Sequence, residues 1–336
     1  MKRAVLLVAL GAPESIEEVA PFLTAVRHGR PSPPELVREF EHRYRQIGGG
    51  SPLPRWSRAQ AEGVERTLRD AAVDWPCRYA ALWGAPTIFE VWRELLAAGI
   101  ERIRCIPLTP YYSGWGVGAY FRAVRAVARR ERPPSAVEFV TDWHRSSGLH
   151  RVFARRIAAT LSQVKRRYRE APRVVYTAHS LPDRPDPGTQ AYRRAVQETA
   201  AAVRALLPPV DSTLAYQSVG RAEGPWLGPS VERVVDALQR ERPGPIVLAP
   251  IGFLADNLEI LYDLDEQLVR RRSEEGSPII RAPVPNADTD LLQALAHVAV
   301  DESDTALPRG LPAEPDPTSA RPTARKEPCF TAPKES

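Results

Sequence analysis

The chain has 336 residues, 43% hydrophobic and 26% charged, which predicts two domains or one pseudo-duplicated body and excludes a small scaffold, a wholly disordered chain or a collagen-like repeat. The 46 Lys and Arg against 41 Asp and Glu leave a net charge of +5, and only Lys2, Lys165, Lys326 and Lys334 are lysines. Basic runs such as Lys165-Arg166-Arg167 and Arg270-Arg271-Arg272 fall within helical patterns without interleaved aromatics, so they predict solvated faces and no nucleic-acid partner.

Met1-Lys2-Arg3 followed by apolar Ala4 to Leu10 reads in two ways, as a secretory leader or as the buried first strand of a parallel sheet. The run is only seven residues before Gly11-Ala12-Pro13, which favours the strand. Further β-branched runs follow at Tyr79–Trp83, Ile103–Leu108, Val137–Thr141, Val174–Ala178, Thr213–Gln217, Ile246–Pro250 and Ile279–Ala282, beside a first strand at Val5–Leu10. Amphipathic patterns fill the gaps, so the spacing predicts an α/β fold of parallel sheets flanked by helices. No stretch approaches the ~18 apolar residues of a membrane span.

A long basic helix ends at Ala171-Pro172 and divides the body into an N-terminal Rossmann-like domain, 1–170, and a C-terminal one, 171–302. No short fixed repeat relates them. From Ser303 prolines crowd a segment of little apolar periodicity, so 303–336 reads as a disordered Pro-rich tail. Cys77, Cys105 and Cys329 are too few and too scattered for a disulfide framework or CxxC metal site, and a reducing cytoplasm is the expected compartment. One chain with three cysteines also predicts no four-cysteine iron–sulfur cluster.

In open α/β sheets ligands gather beyond the carboxyl ends of the strands. Four segments stand there: Gly11-Ala12-Pro13-Glu14, the Tyr111–Gly116 loop, Tyr176 to Pro182, and Phe253 to Asp265. His179 closes one strand, so its imidazole is a proton acceptor, a metal ligand or a histidine bonded to the following turn. With α-helical spacing, Asp256, Glu259, Asp263 and Glu266 share one side, either as a solvated acidic face or as a route for cations or protons. Gln217-Ser218-Val219-Gly220 and Pro225-Trp226-Leu227-Gly228-Pro229 read as a rigid corner between strand and helix. Neither a GxGxxG fingerprint nor a Walker sequence is present.

Taken together, Tyr44-Arg45-Gln46-Ile47-Gly48-Gly49-Gly50-Ser51-Pro52-Leu53, Ala178-His179-Ser180-Leu181-Pro182, Tyr216-Gln217-Ser218 with Pro225-Trp226-Leu227-Gly228-Pro229, and Pro250-Ile251-Gly252-Phe253 leading to Asp256–Asp263 resemble the ferrochelatase family from about Leu6 to about Val298. The resemblance implies two Rossmann-like domains enclosing a porphyrin cleft, with Fe²⁺ inserted as a substrate in haem biosynthesis and no permanently bound cofactor. It implies His179 and Glu259 as catalytic residues, with Asp263 joining them towards the metal. Leu10, Arg27, Arg43, Tyr44, Ser51, Tyr120 and Trp226 are implied to hold the porphyrin, the arginines through its propionates.

The short basic loop Val26-Arg27-His28-Gly29-Arg30 resembles forms acting on coproporphyrin III, while Leu10 stands where many of those carry a tyrosine able to ligate iron. Coproporphyrin III is slightly favoured, with protoporphyrin IX as the alternative. Asn257 and Gln267 also depart from the family pattern, so the acidic path runs through Glu266 or stops at Asp263. More distant readings are a cobalt or nickel chelatase for another tetrapyrrole and a non-enzymatic porphyrin or haem carrier, to which the pairing of His179 with Glu259 gives no role. A transient partner delivering porphyrin or accepting haem is compatible with any of these.

Overall fold

The computed structural model describes residues 1–131, 136–220, 223–274 and 278–301. The expected tail, 303–336, lies outside them, as does Cys329. In chain order the first half comprises β1 (Arg3–Ala9), α1 (Val19–Val26), α2 (Pro34–Gln46), α3 (Leu53–Asp70), β2 (Cys77–Ala81), α4 (Ile88–Ala97), β3 (Arg102–Pro107), α5 (Val117–Arg130), β4 (Ala136–Phe139) and α6 (Ser147–Arg167). The second comprises β5 (Arg173–His179), α7 (Pro187–Ala205), β6 (Ser212–Gln217), α8 (Val231–Glu241), β7 (Ile246–Ala249), a π-helix (Glu259–Arg270), the short α9 (Arg271–Glu274), β8 (Ile279–Arg281) and α10 (Thr289–Val300).

The eight strands form two parallel four-stranded sheets, ordered β2-β1-β3-β4 and β6-β5-β7-β8. Each half thus repeats one topology, its second strand beside its first and its third on the other side. The order reverses between β1 and β3 and again between β5 and β7, which opens a crevice at the carboxyl edge of each sheet.

Ala4 to Val8 are fully buried because β1 is a central strand, pairing with β2 on one side and β3 on the other. The apolar run near the start is therefore sheet interior. Expected strands reaching Trp83, Leu108 and Thr141 end two, one and two residues earlier. At β2 the next two amides still donate to the Ala9 and Leu10 carbonyls, and Gly84 then turns the chain away with φ +95°.

One hydrophobic core runs through both halves. It joins Val5 and Leu7 of β1, Val64 and Leu68 of α3, Leu149, Val152, Ile157 and Leu161 of α6, Val174 of β5, Val247 of β7, and Leu291, Leu295 and Val298 of α10. Helix α6 packs on β7, β8 and α7, while α10 returns to α3. A smaller cluster also crosses between the halves, with Val19, Leu23, Phe40 and Tyr44 from α1 and α2 packed on Leu258 and Tyr262 at the π-helix. This second contact brings α2 to the carboxyl edge of the second sheet.

Candidate functional site

At the carboxyl edge of the second sheet β5 ends on His179 and β6 on Gln217, which are register partners. Thr177 donates its hydroxyl to Gln217 Oε1 at 2.7 Å, and Gln217 Nε2 donates to the Glu259 carbonyl at 3.1 Å. These bonds fix the first residue of the π-helix against the strand ends. The loop after β7 returns close to β5: Gly252 N–H donates to the Thr177 carbonyl at 3.0 Å, and a Cβ on Gly252 would stand 2.6 Å from Ala178 Cα. Only glycine fits this approach.

The His179 ring lies with Nδ1 2.5 Å from the Ser180 carbonyl. Because a carbonyl can only accept, Nδ1 carries the proton and Nε2 keeps a lone pair. Tyr192, from α7, donates its hydroxyl to the His179 carbonyl at 2.8 Å and holds the residue from behind. Burial pushes the His179 imidazole below its ordinary range, opposed by the Ser180 carbonyl and Asp263. The ring is neutral near pH 7.

Glu259 and Asp263 stand on successive turns of the π-helix, and the Asp263 charge acts on this histidine. Burial pushes Glu259 up from the usual carboxylate range. Asp263 is pushed up to about 7, chiefly by burial and then by Glu259, against the opposing effects of Ser218, Arg43 and His179. Ser218, held at φ +61°, donates its hydroxyl to Asp263 Oδ2 at 2.5 Å, while Oδ1 is buried without a hydrogen-bond partner. The pair therefore retains a proton near neutrality and is poised to exchange it.

The expected four-carboxylate stripe is corrected here. A π-helix bonds i to i+5 and turns more slowly than an α-helix, so Glu266, seven residues after Glu259, is about one and a half turns away. Glu266 pairs with Arg270 at 2.7 Å, and Asp256, ahead of the helix, accepts from Asn286 Nδ2 at 2.8 Å and faces Arg281. Of the four, Asp263 is the one whose charge acts on His179, and Glu259 in turn acts on Asp263. Among the described residues no three His, Cys, Asp or Glu side chains form a group able to hold a metal ion; His179 and Glu259 are each coupled electrostatically to Asp263.

Arg43, implied by the resemblance to hold the porphyrin through its propionates, is 3% exposed, because α2 packs on the π-helix. Its Nη2 donates to Glu39 at 2.7 Å, its Nη1 lies 4.0 Å from Asp263 Oδ1, and its guanidinium lies over Phe40 and Tyr262. It acts on the acidic pair electrostatically. Tyr44 and Tyr120 are also buried, and burial aided by the Glu259 charge raises both phenols. Ser51, likewise buried, accepts from Leu53 N–H at the start of α3.

Arg27 caps the end of α1, and Leu10 follows β1 partly buried. Trp226 pairs as a bridge with Pro182 and lies over Gly220, where a Cβ would come 2.5 Å from its ring. The rigid corner expected there holds the turn after His179, and Ser180 donates its hydroxyl to the Leu227 carbonyl at 2.8 Å. Gln217, Ser218 and Tyr192 had no assigned role in the sequence. The first two stood within a recognised motif, whereas nothing local marked Tyr192. A cavity of about 790 Å³ between α6 and α10 and another of about 530 Å³ beside α3 and β2 include none of His179, Glu259 and Asp263.

A family model described as Ferrochelatase matches residues 2–303. The chain is 31% identical over 303 residues to a coproporphyrin III ferrochelatase of Listeria innocua, covering 89% of this chain and 98% of that protein. It is 35% identical over 314 residues to a ferrochelatase of Acidobacterium capsulatum, covering 89% and 94%. Among solved structures, SirB from Bacillus subtilis with Fe³⁺ aligns with a TM-score of 0.55 at 14% identity, over 91% of this chain and 100% of that one. The structure of CbiX, described as the terminal enzyme for biosynthesis of sirohaem in denitrifying bacteria, aligns at 0.50 and 14%, over 89% and 100%. These two establish likeness of fold.

Proposed function

The chain belongs to the ferrochelatase family, and from that premise we propose that His179, Glu259 and Asp263 carry out insertion of Fe²⁺ into a porphyrin, with coproporphyrin III as the preferred acceptor. The observation that carries the site assignment is the neutral His179, its Nε2 lone pair available and the ring coupled to Asp263, a carboxyl that burial and Glu259 push up to about 7.

Metal insertion replaces two pyrrole N–H protons by one Fe²⁺, so charge balances when both protons leave and no electrons move. His179 Nε2 takes the first proton as general base or holds the incoming ion for a moment. Glu259 and Asp263 receive protons or balance the ion's charge, and Ser218 keeps Asp263 turned inwards. Arg43, already ion-paired, limits how far the acidic pair's affinity for protons rises. Tyr44 and Tyr120, buried and within reach of the Glu259 charge, remain neutral.

The preference for coproporphyrin III draws on three supports: the short basic loop Arg27-His28-Gly29-Arg30, a tetracarboxylate's need for cations, and the names of relatives such as the Listeria protein. Leu10, an apolar side chain at the end of β1, favours protoporphyrin IX as the second reading. Purified protein with Fe²⁺ under anaerobic conditions and each porphyrin in turn tests both. A metalloporphyrin spectrum forming faster with coproporphyrin III is expected, a preference for protoporphyrin IX overturns the substrate choice, and insertion into neither overturns the activity.

A further inference from the structure

We propose that Arg184, seated on Trp115, is a carboxylate-binding corner that favours porphyrins with carboxylates on more than one edge. The inference rests on the porphyrin reading above and concerns residues given no role there.

Trp115 lies in the loop after β3, which leads into α5 and Tyr120. Arg184 lies in the loop after β5, five residues beyond His179. The two loops come from different halves of the chain, both beyond carboxyl ends of strands, where ligands of such sheets are held. They are fastened together: Tyr111 packs on Tyr192 of α7 with ring centroids 6.0 Å apart, and Gly188, at the start of α7, would bring a Cβ within 3.4 Å of Gly114 N. The joint is rigid, yet Trp115 at its tip is 41% exposed.

The Arg184 guanidinium lies 5.2 Å from the Trp115 ring centroid. Stacking uses the flat face of the guanidinium and leaves its N–H edges outward. The carboxylates nearest in sequence are already engaged, Asp183 with Arg193 at 2.6 Å and Asp186 as the cap of α7 through Thr189. No carboxylate among the described residues pairs with Arg184. An arginine held on an aromatic face, with its fork open, is preorganised for a bidentate carboxylate.

The withdrawal of Arg43 into the acidic pair gives this corner its importance. A tetracarboxylate bound by the Arg27 loop alone would leave carboxylates on its other edges without cations. Arg184, on a separate loop in the other half of the chain, supplies one. A dicarboxylate has less use for it.

Porphyrin affinity, measured without iron by fluorescence titration, separates this proposal from the activity. Arg184→Ala is expected to weaken coproporphyrin III binding about tenfold or more, with a smaller effect on protoporphyrin IX. Arg184→Lys should restore part of the loss, and Trp115→Phe should bind better than Trp115→Ala. In anaerobic turnover the loss should fall on KM rather than kcat. Wild-type affinity for coproporphyrin III in a folded Arg184→Ala, or equal weakening for both porphyrins, overturns the proposal. Wild-type protein that binds porphyrin but inserts no iron overturns the activity and leaves the binding comparison standing.

Discussion

His179 illustrates how a single hydrogen bond sets chemistry. Since Nδ1 is committed to the Ser180 carbonyl, the reactive lone pair is at Nε2, and His179→Ala removes it without emptying the core. Insertion should fall by at least about a hundredfold with the melting temperature little changed, and a folded variant of wild-type rate would refute the role. Asp263 carries the opposite balance of stability and function. Its carboxyl is raised from 3.8 to about 7, so between those values the folded protein binds a proton that the unfolded chain has released. That contribution is fully present below about pH 4 and is lost as pH rises through 7. Asp263→Asn should therefore stabilise the protein at pH 8, by on the order of 1–3 kcal/mol, and the gain should vanish near pH 4. Turnover should drop at the same time, and melting curves at the two pH values beside insertion assays check both signs.

At the scale of elements, the π-helix decides which carboxylates stand together near the histidine's partner Asp263. An α-helical reading placed Asp256, Glu259, Asp263 and Glu266 together, and the wider turn kept only the middle two. Such π geometry requires support from outside the helix, supplied here by Gln217 at the Glu259 carbonyl and by Leu258 and Tyr262 packed on α1 and α2. The close return of the loop after β7 is the other local requirement. Gly252→Ala would force a methyl group against the β5 backbone, where nothing flexible can yield. A loss of about 1–3 kcal/mol is expected, together with a fall in insertion rate as the end of β5 shifts. Denaturant unfolding and turnover measured on the same variant separate this from a purely local effect.

Across the whole molecule, two sheets of identical topology share one core. Since α10 returns to α3 and α6 serves the second sheet, neither half completes its interior alone. Leu295 on α10 is fully buried in the core that joins both. Leu295→Ala should cost about 2–5 kcal/mol and lower the stability of both halves together. A single unfolding transition, displaced as a unit by circular dichroism and tryptophan fluorescence, is the expected result, whereas separate transitions would show that the halves unfold independently.

The sequence by itself determined the eight strands, because short β-branched runs between amphipathic segments have few other ways to bury themselves. It also marked His179 and the Pro250–Asp263 segment, since a polar residue directly after an apolar strand is placed at the sheet's ligand edge. Strand ends were legible only to within two residues, as ladder bonds continue past the point where the chain turns away. Only the tertiary structure decided that Arg43 lies beside Asp263, because α2 packs on a helix more than two hundred residues later. The same holds for Tyr192 behind His179, Ser218 on Asp263 and Arg184 on Trp115. None of these contacts has a local pattern, since each depends on where two distant segments meet once the shared core has formed.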